Sequence, residues 1–565
     1  MPEAADVIVI GAGAAGIAAC RVLCDAGLSV IVLEASERIG GRAFSSDVAQ
    51  SMTELGAEFI HGEGAPTHGL CEVCNVRVIP APRKRQMWWA EAPCAVAQPR
   101  TDLSQKFRQL LGRLETSMSA LSDGESGASI HPDASLAEHL HSIGFHDAES
   151  LAVADVYLAQ TCCAPLAKLS MADLAAESRR DFAGDEEFRL VEGYSTLLQR
   201  YSAGLPIHLS KRVASVTRSD SGVAIRTSDA VYTARAAIVT VSVKLLQDRT
   251  IEFTPPLSSQ KLSALDAMEM PAATKLVYVF DKPRWDASML YLLHAGNTAR
   301  WWTRDNVITC FVTARRAEVF DDLPEAEALS VGLSELCALL GDQTLRTHVQ
   351  SMARISWAKD DLVRGGCGAP VGYHGNSPAH APRQTLTPTA QRRTATGQSQ
   401  SRSLRRYAYV KTGGAWARQA LAATEGGRVF FAGEATAYAL CSHCPPGLRP
   451  FPLQRLTPKC RVTSTHGSLG SSPRLLSPAL YCHVREASRC FGAASIRIPK
   501  RCMALFRVAG ERQGGQSTPS ESHRSRAGTR APSFQICQWP VRAPGGPDSE
   551  PPQPEAAVAP AILPD

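Results

Sequence analysis

Val7-Ile8-Val9-Ile10-Gly11-Ala12-Gly13-Ala14-Ala15-Gly16 stands near the start of a 565-residue chain. Four consecutive β-branched residues without a polar break predict a strand buried on both faces, as in a parallel sheet. A GxGxxG loop follows at once. Ile17 to Ala26 reads as a helix of small and apolar residues, with Gly27 just past its end. Ser29 to Leu33 reads as a second strand, closed by Glu34. Gly11 permits the tight turn, Gly13 lets backbone approach a pyrophosphate, and Gly16 lets helix and strand pack closely. Ala15 belongs to the same cofactor-binding loop, and the helix N-terminus supplies the positive field for the phosphates. Glu34 stands 18 residues after Gly16. It suits both hydroxyls of an adenosine ribose and would repel a 2′-phosphate, so NADP is not expected. Together these features make a dinucleotide-binding βαβ unit.

Outward from that unit, the composition is that of a globular protein, with 44% hydrophobic and 20% charged residues. No apolar run reaches the ~20 residues of a membrane span. The acidic start, MPEAAD, reads against a signal peptide, and the LPD end matches no peroxisomal address, so a cytoplasmic location is expected. The net charge of +6 hides an asymmetry. Segment 367–406 carries +6 and segment 437–565 carries +9, which leaves −9 on the rest. These two segments also hold 22 of the 36 prolines and show no helical or strand period. They read as a disordered insertion and a disordered tail, so a nucleic-acid partner is not inferred from the basic balance. The 17 cysteines are too dilute for a disulfide framework. The pairs Cys71–Cys74 and Cys441–Cys444 lack a matching second pair, so no metal is expected.

The middle of the chain mixes both element types. Thr101–Leu121, Ser135–Ile143, Leu257–Met268 and Ala326–Leu340 read as helices. Ile207–Val216, Gly222–Thr227, Ala236–Val243, Thr274–Phe280 and Arg428–Ala432 read as strands.

Four blocks together resemble the flavin-dependent amine oxidase family, nearest its polyamine oxidase branch. They are the opening VIVIGAGAAG…VIVLEA unit, Glu37-Arg38-Ile39-Gly40-Gly41-Arg42, Leu55-Gly56-Ala57-Glu58-Phe59-Ile60-His61-Gly62, and Gly427 to Thr436. The resemblance spans roughly residues 5–366 and 407–436. It implies FAD as the cofactor. Arg42 would bond the pyrophosphate, Glu434 the ribityl chain, and Val213 the adenine through its backbone, with Glu58 and Phe59 in the third block. Lys275, in Ala273-Thr274-Lys275-Leu276, matches the lysine that holds a water near flavin N5, and His61 matches a polar residue facing the substrate tunnel. Trp88-Trp89 and Trp301-Trp302 read as core or surface packing rather than as tunnel walls, and Glu63 as a solvated acid.

The fold class implied is α/β, a Rossmann-like FAD-binding domain with a second α+β substrate domain. The first comprises residues 1–95, 188–250 and 407–436, and the second 96–187 and 251–366. The implied chemistry is two-electron oxidation of an amine C–N bond, with spermine or spermidine favoured. An imine forms and hydrolyses to an aldehyde, while O2 is reduced to H2O2. The implied partners are thus a small amine and O2, with no metal and no membrane. Two alternatives stand beside this reading. One is a mis-spliced or truncated oxidase, catalytically impaired and acting at most in binding, because the family helix after Gly433-Glu434 is replaced by unrelated sequence. The other is a flavoenzyme acting on an amino acid or a histone lysine.

Overall fold

The β-branched run forms β1 (Glu3–Ile10), the small-residue helix α1 (Ala14–Asp25), and the second run β2 (Val30–Leu33). The computed structural model describes residues 3–81, 86–91, 95–120, 133–178, 186–366 and 408–436. The insertion at 367–406 and the tail at 437–565 lie outside the described residues.

β1 pairs in parallel with β2 on one side and with Val231–Val239 on the other. Val7, Ile8 and Val9 are fully buried, as expected for a strand covered on both faces. Val231–Val239 shares its outer edge between two partners. Its first half pairs antiparallel with Gly222–Thr227, and its second half takes Val429–Phe431 in parallel. Ile207–His208, Val213–Ser219 and Glu252–Thr254 complete an eight-stranded sheet. The last family block thereby joins the sheet of the first, one strand away from β1 and about 400 residues away in sequence.

Two expected strands differ in extent. Ile207–Val216 is two strands, broken where Ser210 takes φ +56. Its halves join opposite parts of the sheet, Ile207–His208 beside β2 and Val213–Ser219 beside Gly222–Thr227. The expected strand Ala236–Val243 ends at Val239, because Ser242 caps a helix at Val243–Gln247 by accepting from the Leu245 N–H.

A second, seven-stranded sheet runs Val349–Ser356, Ala273–Phe280, Val307–Thr313, Arg300–Arg304, Met289–His294, Gln86–Ala90, Gln98–Pro99. Gln86–Ala90 pairs with Met289–His294, so the sequence boundary at residue 95 falls inside this sheet. The reason is packing. Trp89 is buried among Leu290, Leu293 and Trp302 rather than against the first sheet. Every residue of Ala273–Phe280 is buried. Thr101–Ala120, Leu136–Ser142 and Met171–Ser178 close one face of this sheet through Leu103, Leu110, Leu136 and Leu174. Phe59–His61, Glu187–Leu190 and Val78–Pro80 form a small third sheet. The architecture is α/β, with a Rossmann-like unit and a second domain of mainly antiparallel strands, with one parallel pair, and helices.

Candidate active site

A groove of about 370 Å³ runs from the end of β2 across the α1 N-terminus to Glu434. Its floor follows from the glycines. Gly11 has φ +103, and a Cβ there would meet Thr240 Oγ1 at 2.7 Å. A Cβ on Gly16 would sit 1.9 Å from the Gly11 carbonyl oxygen. A Cβ on Gly13, the N-cap of α1, would meet nothing within 4 Å. The protein itself therefore needs Gly11 and Gly16, while the space over Gly13 is left for a ligand. Ala15 lines the same floor.

This difference gives a test. Gly16→Ala is expected to prevent folding of the unit, lowering the melting temperature of the cofactor-free protein. Gly13→Ala is expected to leave that melting within about 0.5 kcal/mol of wild type. It should weaken FAD binding by about tenfold or more, through a clash of order 1.4 kcal/mol. Differential scanning calorimetry and flavin fluorescence titration read the two separately.

At one end of the groove, Glu34 Oε2 accepts from the Ala12 N–H at 2.6 Å and Oε1 from the Ser36 N–H at 2.9 Å. The carboxylate is pinned by backbone, with lone pairs left for ribose hydroxyls. Val213 lines this end beside Lys211 and Arg212. Farther along, Arg38 stacks 4.2 Å from the Phe44 ring centroid and lines the wall. At the far end Arg42 Nη2 stands 3.4 Å from Glu434 Oε1, and Arg42 Nη1 donates to the Gly366 carbonyl at 3.0 Å. A cation, a helix N-terminus and an open glycine along one groove match a dinucleotide pyrophosphate.

The groove wall includes Ala57, and the next residue begins a second, buried cluster. Lys275 Nζ donates to Glu58 Oε2 at 3.0 Å and to the Glu54 carbonyl at 2.9 Å. Trp302 Nε1 donates to the same Glu58 oxygen at 2.9 Å. Arg189 Nε lies 3.2 Å from Glu58 Oε1, with its guanidinium 4.5 Å from the Phe59 ring centroid. Burial works to raise the Glu58 carboxyl, but Lys275 and Arg189 outweigh it and hold it below the usual carboxylate range. His61 Nδ1 is 3.1 Å from Glu187 Oε1, and the Tyr291 hydroxyl donates to Glu187 Oε2 at 3.3 Å.

The sequence reading singled out Glu58, Phe59, His61 and Lys275, and these four stand together here. Gly11, Gly13, Ala15, Gly16, Glu34, Arg42, Val213 and Glu434 are grouped along the groove. Glu187, Arg189 and Arg300 were not foreseen. The first two carry a signal visible only after strand pairing, since the register sets Phe59 opposite Arg189 and His61 opposite Glu187. Trp302 was read as packing, yet it bonds Glu58, while Trp301 points to the opposite face and packs with Phe280 and Leu336. Glu63 stays at the rim, accepting from the Glu186 N–H at 3.4 Å.

Glu54 lies behind Lys275, accepting from Ser45 Oγ at 2.6 Å and the Tyr194 N–H at 2.9 Å. Burial pushes its carboxyl up to about 7. A carboxyl raised on folding stabilises the native state fully below the unfolded value and loses that contribution as pH rises through the folded one. Stability of the cofactor-free protein is therefore expected to fall from about pH 4.5 to about pH 7 through this group. Glu54→Gln should remove that slope from urea melts across the window. An unchanged slope would show that Glu54 is already ionised in the folded protein.

Among the described residues, no three or more His, Cys, Asp or Glu are grouped to hold a metal ion, and no helix is long and apolar enough to cross a membrane.

With this geometry in hand, comparison with known proteins identifies the relatives. The sequence model described as flavin containing amine oxidoreductase matches residues 14–442. The chain belongs to the flavin-containing amine oxidoreductase family. FAD is accordingly its cofactor. Among curated relatives of this oxidoreductase, Lysine-specific histone demethylase 2 of Homo sapiens is 28% identical over 50% of this chain and 36% of its own length. Polyamine oxidase 4 of Oryza sativa subsp. japonica is 25% identical over 60% of this chain and 74% of its own. The chain spans half or less of the first curated relatives it matches. Among solved structures, putrescine oxidase bound to putrescine covers 90% of this chain and 100% of its own, at TM-score 0.61 and 15% identity. Cyclohexylamine oxidase from Brevibacterium oxydans IH-35A covers 77% of this chain and 94% of its own, at TM-score 0.59 and 19% identity. At these identities the structural likeness concerns the fold.

Proposed function

We propose that this chain oxidises the C–N bond of a small amine, with O2 as the final electron acceptor and H2O2 as a product. The observation that carries the reading is the buried cluster of Lys275, Glu58 and Trp302, which begins one residue from the groove wall at Ala57. Bound FAD supplies a two-electron acceptor for hydride from the carbon next to nitrogen. Gly13, Arg42, Glu34 and Glu434 hold the cofactor.

The residues around Lys275 favour a neutral amine. An ammonium entering there meets Lys275 and Arg189 and loses the hydration it has in water. Lys275 uses two of its three N–H donors on Glu58 and Glu54, and the third suits a water. A water held there would serve to hydrolyse the product imine to a carbonyl compound and a shorter amine. His61, with Nδ1 held by Glu187, fixes one wall, and Phe59 and Trp302 provide apolar faces.

A polyamine is one substrate class in keeping with the relatives, because two rice polyamine oxidases match over 74% and 73% of their lengths, while the lysine-specific histone demethylases match over half or less of theirs. A specific observation favours a second class, an amine that also carries a carboxylate. The fully buried Arg300 lies on the same strand face as Trp302.

The test starts with the visible spectrum of the purified chain, before and after FAD is added. An oxidised-flavin spectrum is expected. Spermine, spermidine, putrescine and a set of amino acids are then mixed in without air. Bleaching by one of them, followed by peroxide on readmitting air, supports amine oxidation. A flavin-loaded protein that no amine bleaches would overturn it.

A further inference from the structure

Arg300 opens the strand Arg300–Arg304 and is fully buried. Its Nη1 donates to Thr161 Oγ1 at 3.0 Å, while Nε and Nη2 have no acceptor in good hydrogen-bond geometry, the Tyr291 hydroxyl being their looser polar neighbour. The guanidinium carbon stands 5.5 Å from the Tyr157 ring centroid, 5.2 Å from Tyr291 and 5.8 Å from Trp302. Glu187 is the carboxylate within electrostatic reach, and it is shared with His61 and Tyr291. A buried guanidinium with two idle donors is costly unless an anion completes it.

The surroundings show a built site rather than an accident of packing. Tyr157 lies in a π-helical turn, Asp155–Ala159, closed by the Gln160 N–H donating to the Asp155 carbonyl at 3.0 Å. Such wide turns recur at functional sites. This one presents Tyr157 and Thr161 to the guanidinium together, and Thr161 donates back to the Tyr157 carbonyl at 2.6 Å. Three rings and a hydroxyl, drawn from three separate segments, surround one cation. The same Trp302 ring lies 5.2 Å from Lys275 Nζ, so one indole separates Arg300 from the proposed oxidation centre.

We propose that Arg300 is the specificity-determining residue of this enzyme, binding a carboxylate at the far end of the amine substrate through its two idle N–H donors. This rests on the amine-oxidation reading and chooses between its two substrate classes. A second ammonium, as in a polyamine, meets like charge at the position where a carboxylate gains a fork of N–H donors.

The experiment compares amines of one chain length on the FAD-loaded full chain: 6-aminohexanoate, norleucine, 1,6-diaminohexane and hexylamine. 6-Aminohexanoate, whose carboxylate is at the far end, is expected to exceed hexylamine in kcat/KM by at least about tenfold, with norleucine below it and the diamine lowest. The two carboxylates differ in the placing of the acid and report which one reaches Arg300. In Arg300→Gln the ratio of the preferred carboxylate to hexylamine should fall by about 100-fold. Arg300→Lys should keep part of it, since charge remains but the fork is lost. A wild type that prefers the diamine or hexylamine would overturn the proposal even if the variants fail to fold. Equal loss on all substrates in Arg300→Gln would do the same by showing a structural role. If no amine is oxidised, calorimetric binding of 6-aminohexanoate against hexylamine still decides. Tighter carboxylate binding, lost in Arg300→Gln, supports the anchor while amine oxidation fails, and no preference overturns the anchor as well.

Discussion

Lys275→Met is expected to lower the rate of flavin reduction by substrate about 10²- to 10⁴-fold, the range for loss of a positioned polar group in a reacting centre. Methionine keeps the length and fills the volume of a side chain that is 1% exposed. It removes the charge that faces Glu58 and the donor to the Glu54 carbonyl. Glu58 keeps Arg189 and the Trp302 indole, so its carboxylate stays partly paired and the fold is expected to persist. On the proposed role of Lys275 in holding a water, imine hydrolysis should also slow. Rapid mixing of the flavin-loaded variant with substrate, without air, reads the first effect. Aldehyde release after readmitting air reads the second. Flavin content and melting temperature control for damage elsewhere. A variant with normal flavin content and wild-type reduction rate would remove Lys275 from the mechanism.

A buried ion pair holds the frame that brings the last family block to the groove. Arg418 and Asp173 are 1% and 2% exposed, and their side chains meet at 3.0 Å through both carboxylate oxygens. Arg418 also donates to the Ala408 and Ala435 carbonyls. One guanidinium therefore ties the helix Met171–Ser178 to the two chain segments flanking Glu434. Asp173→Ala leaves that charge buried without its carboxylate, and the expected cost is about 3–5 kcal/mol. Because Ala435 lines the groove, FAD uptake should fall as well. Replacing both partners, in Asp173→Leu with Arg418→Met, should recover part of the stability, since the pair is removed together while the buried Glu177 loses the charge of Arg418. Urea denaturation of the two single variants and the double variant measures the cycle. A cost below about 1 kcal/mol for Asp173→Ala would show the pair to be solvated rather than buried.

Much of the groove was legible in sequence because its constraints are local. Gly16 cannot carry a Cβ against the Gly11 carbonyl, and Glu34 follows α1 at a distance fixed by one helix and one strand. The blocks containing Arg42, Glu58 and Glu434 each keep their residues contiguous, so resemblance located them without knowledge of pairing. The boundaries of Ile207–Val216 were missed because the polar stretch Ser210-Lys211-Arg212 does not by itself reveal that the chain changes neighbours at Ser210.

The amine end was legible only in part. His61 and Lys275 could be matched to a family pattern, but their partners arise from register. His61 meets Glu187, and Phe59 meets Arg189, across antiparallel strands about 130 residues apart in sequence. Arg300 and Trp302 share a face because strand side chains alternate, which sends Trp301 to the other core. From the sequence come the βαβ unit, the cofactor class and the family, since each rests on short segments whose sterics and hydrogen bonding are local. From tertiary packing come the charge pairing of Glu58, the holding of His61 by Glu187, and the burial of Arg300 among three rings, since these depend on which distant strands lie side by side.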